Sequence, residues 1–190
     1  MNPEMKRAGI FVDVQNVYGS TKSISGKTGI HYRINYSRLR EHFNQTYDVH
    51  KAIAFTCYDP INTEQVGFIT AISSCGWRVV AKPAKKSEDG IIIKANCDLE
   101  MALEILRTAN TLDVVILATN DSDFASLIHE LSMMGRRVII IGSRLGICAE
   151  LLRACDEIVR FEDMNGVLER QVERVVDRAA ERVPEPISAT

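Results

Sequence analysis

The chain has 190 residues, 46% of them hydrophobic and 25% charged, which fits one globular domain with a short appendage and leaves enough apolar mass for a core without staples. Its formal net charge of −2 excludes a polycation that gathers nucleic acid by bulk attraction, so any such binding needs a local patch. Five cysteines without a C-x-x-C pair, four histidines without an H-x-x-x-H pair and no apolar run of membrane-spanning length argue against a disulfide framework, a structural zinc site and a bilayer span.

The elements are read in chain order. Gly9 to Val14 is a short apolar run, expected as a buried strand, and Gln15 to about Arg33, rich in Gly, Ser, Thr and Lys, is expected as a loop. Ile34 to Phe43 reads as a helix and His50 to Cys57 as a second strand. Asn62 to Cys75 reads as a helix with an Asn cap, stopped by Gly76, and Trp77 to Ala81 as a third strand. A charged loop from Pro83 to Asp89 precedes an extended piece at Ile91 to Ile93 and a helix from Asp98 to Asn110, whose Leu99, Ala102, Leu103 and Leu106 are expected to form its buried face. Asp113 to Thr119 is a fourth strand, Ser122 to Met134 a helix ended by Gly135, Arg137 to Ile141 a fifth strand, Cys148 to Ala154 a short helix, and Glu157 to Phe161 a sixth strand.

Apolar strands alternating with helices predict a parallel sheet covered on both faces, and right-handed crossovers make it a Rossmann-like three-layer α/β sandwich. The domain is expected over residues 1–163. Residues 164–190 are expected as an amphipathic helix striped by Met164, Leu168, Val172, Val175 and Val176, with a frayed end. That helix packs on the domain or mediates self-association. The polar N-terminus, Met1 to Arg7, is not read as a signal peptide, and packed thiols suit a reducing cytoplasm.

Sites in such sheets lie beyond the carboxyl ends of the strands. Ser25-Gly26-Lys27-Thr28 imitates the end of a P-loop, but Thr21 stands where the motif needs glycine. Gly142-Ser143-Arg144-Leu145-Gly146 has the wrong spacing for a dinucleotide fingerprint. Asp13 lacks a second aspartate two residues on, against a phosphatase that forms an aspartyl phosphate, and no motif places a histidine beside a serine or cysteine nucleophile.

Aspartates remain. Asp13 ends the first strand, Asp121 and Asp123 follow the fourth, and Asp98 opens a helix at the margin of its buried face. Three have a structural alternative: Asp13 can cap a neighbouring loop, Asp121 or Ser122 can cap the next helix, and Asp123 in its first turn can favour the helix dipole. If the strand order reverses beside the first strand, however, Asp13 and Asp121 meet. Like carboxylates repel and raise each other's pKa, a conflict that a divalent cation removes, and hard oxygen donors select Mg²⁺ or Mn²⁺. Glu100 and Glu104 are read as a solvated face. Lys22, Lys27, Arg33, Lys82, Lys85, Lys86, Lys94 and Arg144 form a basic rim suited to a polyanion, and Tyr18, Tyr32 and Tyr58 lie near the same loops, where tyrosines stack bases.

At these residues the sequence resembles a known family. Phe11-Val12-Asp13-Val14-Gln15-Asn16 is similar to the opening strand of NYN domains of the LabA-like branch; Lys94-Ala95-Asn96-Cys97-Asp98 resembles its K-G-x-x-D segment, Leu117 to Phe124 its L-x-S-G-D-S-D-F motif, and Asp156-Glu157-Ile158 a late A-D-x-F segment. The resemblance runs from about Gly9 to Phe161. It implies a PIN-like nuclease fold and a Mg²⁺- or Mn²⁺-dependent endoribonuclease acting on RNA, with Asp13, Asp98, Asp121 and Asp123 as catalytic and metal-binding acids. The resemblance also implies that Asn16 supports this site by hydrogen bonding, and Asn16, Thr119, Ser122, Lys85, Lys86, Lys94 and Arg144 are expected on the substrate side. The sequence departs from the family pattern at Thr119 for serine, at Asn120 and Ala95 for glycines, and at Glu104 for a further aspartate. A non-catalytic RNA- or protein-binding regulatory module, hydrolysis of small nucleotides, and a homodimer through the C-terminal helix or a domain face remain open.

Overall fold

The structure is a computed structural model that describes residues 5–86, 92–94 and 96–171, with the side chains of 86 and 92–94 left out. In chain order the strands and helices are β1 (Arg7–Asp13), α1 (Val14–Thr28), β2 (Tyr32–Ile34), α2 (Tyr36–Asn44), β3 (Asp48–Tyr58), α3 (Thr63–Ser74), β4 (Arg78–Pro83), β5 (Lys85–Lys86) and β6 (Ile92–Lys94). They continue with α4 (Asp98–Ala109), β7 (Val114–Ala118), α5 (Ala125–Met133), β8 (Arg137–Gly142), α6 (Ala149–Ala154), β9 (Glu157–Arg160) and β10 (Leu168–Arg170).

Six strands form one sheet in the order β4-β3-β1-β7-β8-β9, every neighbouring pair parallel. Alternate residues feed the two faces. Ile10, Val12, Ile116, Ala118 and Ile139 pack against α1, α2 and α3, whereas Phe11, Val115, Leu117 and Ile140 pack against α4, α5 and α6. Both layers of apolar residues are needed, which is why the strands read as continuous rather than alternating runs. On α4 the buried face is Met101, Ile105 and Ala109; Leu99 and Leu103 are exposed, so the stripe assigned from spacing is rotated toward solvent. The chain runs outward from β1 to β3 and β4, then restarts at β7 beside β1, leaving a switch point between the carboxyl ends of β1 and β7.

The expected loop from Gln15 to Arg33 is instead α1 and β2. Asp13 caps α1 by accepting the backbone N–H of Asn16 at 3.0 Å, and Gly29 ends it at φ 69°. Between them Val14, Val17, Thr21 and Ile24 make a buried stripe at helical spacing. The hydroxyls that made the segment look loop-like donate back along the helix, Ser20 to the Asn16 carbonyl at 3.0 Å and Ser25 to the Thr21 carbonyl at 2.8 Å. The expected helix at Ser122 starts as a 3₁₀ turn, Ser122–Phe124, before α5.

The C-terminal stripe also changes. Met164 and Val167 are buried in the core below α2, and Leu168–Arg170 is a strand, β10, antiparallel to β2, so these residues extend the domain rather than open a helix. The rest of that expected helix lies outside the described residues. Among the described residues no helix is long and apolar enough to cross a membrane.

The sheet tolerates little extra volume at Gly9, where β1 shifts register against β3. A Cβ there would come within 2.7 Å of Leu112 and 2.8 Å of the Phe11 ring. Gly9→Ala is expected to destabilise the fold by about 1–3 kcal/mol, visible as a lower midpoint in urea.

Candidate functional site

Three separate segments deliver acids to the switch point. β1 ends at Asp13. β7, paired with β1 through Val12 and Ala118, continues into Thr119-Asn120-Asp121. α4 begins at Asp98 and packs below the same strands through Met101 and Ile105. Asp13 is partly buried, and burial raises its pKa from the ordinary 3.8 to about 6, with the charges of Asp98 and Asp121 pushing in the same direction and the Asn16 N–H opposing. Asp98 is also raised, first by burial, then by Asp121, Asp123 and Glu100, while the Asn96 amide donates to its carboxylate at 2.6 Å. The four expected acids therefore share one electrostatic field. Charge of one sign is concentrated here without a basic side chain among the causes of either shift.

The field is not yet a cage. Among the described residues no group of three or more Asp, Glu, His and Cys side chains is drawn together in a way that would hold an ion as it stands. The donor chemistry still fits a hard divalent cation, since the acids are carboxylates that repel one another, and Asp13 is partly buried where ionisation is costly.

Short hydrogen bonds hold the acid-bearing loops. Asp121 Oδ1 accepts the Asp123 N–H at 3.0 Å, so Asp121 caps the 3₁₀ turn just as Asp13 caps α1. Asn16 Oδ1 accepts the backbone N–H of Asn120 at 2.8 Å, tying the first turn of α1 to the loop after β7. Thr119 is 1% exposed, and its hydroxyl accepts the Asp121 N–H at 3.1 Å. Asn16 supports the Asp121 loop by hydrogen bonding, as the resemblance implies, and Thr119, expected on the substrate side, supports it too; Ser122 is exposed at its tip.

Asn120 was legible only as a departure from the resembling motif. Its amide donates to Ser20 Oγ at 2.6 Å, and its side chain lies under the loop after β8. A Cβ at Gly142 would meet Asn120 Oδ1 and Ile147 Cγ1 at 2.5 Å, and one at Gly146 would meet Asn120 Nδ2 at 2.8 Å. These glycines make room for an asparagine. Gly142→Ala is expected to displace Asn120 and to cost about 1–3 kcal/mol of stability, read as a lower midpoint in urea.

The basic rim is less positive than its residue count suggests. Arg33 pairs with Glu169 at 3.1 Å, Lys82 pairs with Glu100, and Arg144 pairs with Asp163 while its backbone N–H donates to Glu162. Arg144 is therefore neutralised where it was expected to face substrate. Glu100 and Glu104, expected on a solvated face, bridge α4 to β4, Glu104 through Arg78 at 2.7 Å. Lys85 is exposed on β5; the side chains of Lys86 and Lys94, and residue Ala95, lie outside those described. Asp156 accepts the Val138 N–H at 2.7 Å at the opposite end of the sheet and takes no part in the site.

Known proteins are similar to this chain in fold or in sequence. A solved structure of a Vibrio parahaemolyticus protein of unknown function superposes with a TM-score of 0.72 at 24% identity, covering 86% of this chain and 97% of that one, a likeness of fold. The low amplitude and bright protein LabA of Synechococcus elongatus is 26% identical over 112 residues, 56% of this chain and 60% of that protein, so the match spans less than two thirds of the relative. The NYN domain model matches residues 7–163, from the first residue of β1 through Asp163. The chain belongs to the NYN domain family.

Proposed function

We propose that this protein hydrolyses RNA phosphodiester bonds at Asp13, Asp98, Asp121 and Asp123 with Mg²⁺ or Mn²⁺ held among them. The observation that carries the reading is the convergence of aspartates from three segments at one switch point, where burial first, and then the charges of Asp98 and Asp121, raise Asp13 to about 6. Side chains that only cap helices need no such convergence. A divalent ion bound there supplies neutralising charge for a phosphate and a more acidic water. The chain's own contribution is placement: Asn16, Thr119 and Asn120 fix the Asp121 loop, and the Asn16 N–H holds the partly buried Asp13 carboxylate at the start of α1.

A second reading, a regulatory module that binds RNA or protein without turnover, draws on the open arrangement of the acids and on the paired state of Arg33, Lys82 and Arg144. Incubating labelled single-stranded RNA with the protein and Mn²⁺ or Mg²⁺ separates the two. Cleavage that disappears in Asp121→Asn supports the nuclease; retention of RNA on the protein with no metal-dependent cleavage supports the module. A cytoplasmic location and self-association through the C-terminal segment or a domain face belong to the same proposal, and sedimentation of the purified chain tests the latter.

A further inference from the structure

Beside the acids, a cavity of about 650 Å³ opens between α1, β2, the start of α2 and α3, within the size range of small-ligand sites. Val14, Val17, Ile34 and Ile72 give it a buried apolar floor. Tyr36 forms its back wall, with its ring edge-on to Trp77 at 5.6 Å and to Phe68 at 6.1 Å, and the Trp77 indole donates to the Tyr36 carbonyl at 3.0 Å. Two aromatic rings stand in water at the rim, Tyr18 at 68% and Phe68 at 45% exposure.

The cavity adjoins the acidic site. Val14 on the floor follows Asp13 directly, and Tyr36 lies near enough to Asp13 to feel its charge. The mouth carries Glu64 and Glu169, and its one arginine, Arg33, is paired with Glu169, so it offers a phosphate little uncompensated positive charge. Glu169 is held ionised by the Asn35 amide at 2.5 Å and the Arg33 guanidinium at 3.1 Å. An apolar slot with aromatic walls and carboxylate acceptors at its lip suits a flat, uncharged ring that carries N–H donors.

We propose that this cavity seats one unpaired nucleobase of the RNA whose backbone is held at Asp13, Asp98 and Asp121, with Tyr18 and Phe68 as its stacking surfaces. The assignment rests on the nuclease reading for the position of the backbone, and it adds the part of the substrate that reading leaves without a site. Any base presents a π face, so the slot grips single strands with little sequence preference and excludes paired bases.

The test uses the full chain with Mn²⁺ and two probes, adenosine 5′-monophosphate and ribose 5-phosphate, titrated by calorimetry. The nucleotide is expected to bind at least about 10-fold more tightly than the sugar phosphate, and Tyr18→Ala and Phe68→Ala are each expected to cost it about 10-fold, the lower part of the range for a lost base stack. Tyr18→Phe is expected to restore binding, and Mn²⁺ binding is expected to stay unchanged in all three variants. Equal affinity for the two probes, or no effect of either alanine, overturns the proposal. So does a dimer that Phe68→Ala dissolves without nucleotide binding, which gives the slot to a second copy. Nucleotide binding that appears only in Val175→Glu also overturns it, giving the slot to the chain's own residues 172–190. If base binding holds and RNA is never cleaved, the nuclease reading falls alone; if metal-dependent cleavage holds and the bases are not bound, the slot falls alone.

Discussion

Asp121→Asn is expected to lower Mn²⁺-stimulated RNA cleavage on the order of 10²- to 10³-fold while leaving the protein folded. The magnitude follows from the several kcal/mol that a metal-held charge contributes to a phosphate in transfer, at about 1.4 kcal/mol for each factor of ten. The fold survives because the other task of Asp121 is to accept the Asp123 N–H, and an asparagine oxygen accepts that bond as well. This makes the variant a sharp discriminator. If Asp121 were only a cap, asparagine would change nothing. Equal cleavage by wild type and variant would mean that the activity belongs to a contaminant or that the acid is structural.

Asp13→Asn is expected to make the metal-free protein more stable, by about 1–3 kcal/mol at pH 7–8. Asp13 titrates at about 6 when folded against an ordinary 3.8, and at about 1.4 kcal/mol per pH unit that difference amounts to about 3 kcal/mol. The folded state binds the proton more tightly, so this contribution is fully present below about pH 3.8 and is lost as pH rises through 6. Above that, the wild type carries an ionised, partly buried carboxylate beside Asp98 and Asp121, and asparagine does not. The helix cap persists, because asparagine also accepts the Asn16 N–H. Denaturation of the two proteins between pH 4 and 8 should give stabilities that diverge across that window, equivalent at neutral pH to a melting point higher by roughly 2–4 °C per kcal/mol in the variant. Mn²⁺ at about 100 times its dissociation constant should add about 2.7 kcal/mol to the wild type and much less to the variant. A variant less stable than wild type at pH 8 without metal would show that the carboxylate is compensated by partners other than a cation.

The strands were legible because five core runs, from Gly9 to Ile141, are apolar on both faces, and only a parallel sheet between two helical layers needs that. The aspartates were legible as charge at the ends of those runs. Helix α1 was not, because Gly19, Gly26 and the five Ser or Thr residues from Ser20 to Thr28 lower its apparent propensity, and the back-bonding of hydroxyls such as Ser20 and Ser25 appears only once the helix exists. The pairing of Arg33, Lys82 and Arg144 was hidden for a different reason. Arg33 and Glu169 are 136 residues apart, and β10 pairs with β2 only after the whole sheet has formed. Charge counted along a loop says nothing about carboxylates that tertiary structure returns to it. The role of Asn120 was equally remote, since its space is made by Gly142 and Gly146 on another strand's loop.

That last contact makes positions 120, 142 and 146 a single unit of exchange. A chimera that imports the loop after β7 from a relative with glycine at the position of Asn120 would leave an empty notch beneath Gly142 and Gly146, and one that imports a bulkier loop after β8 would collide with the asparagine already there. Engineers recombining such domains would have to move all three positions together, with Ser20 as the anchor on the opposite side.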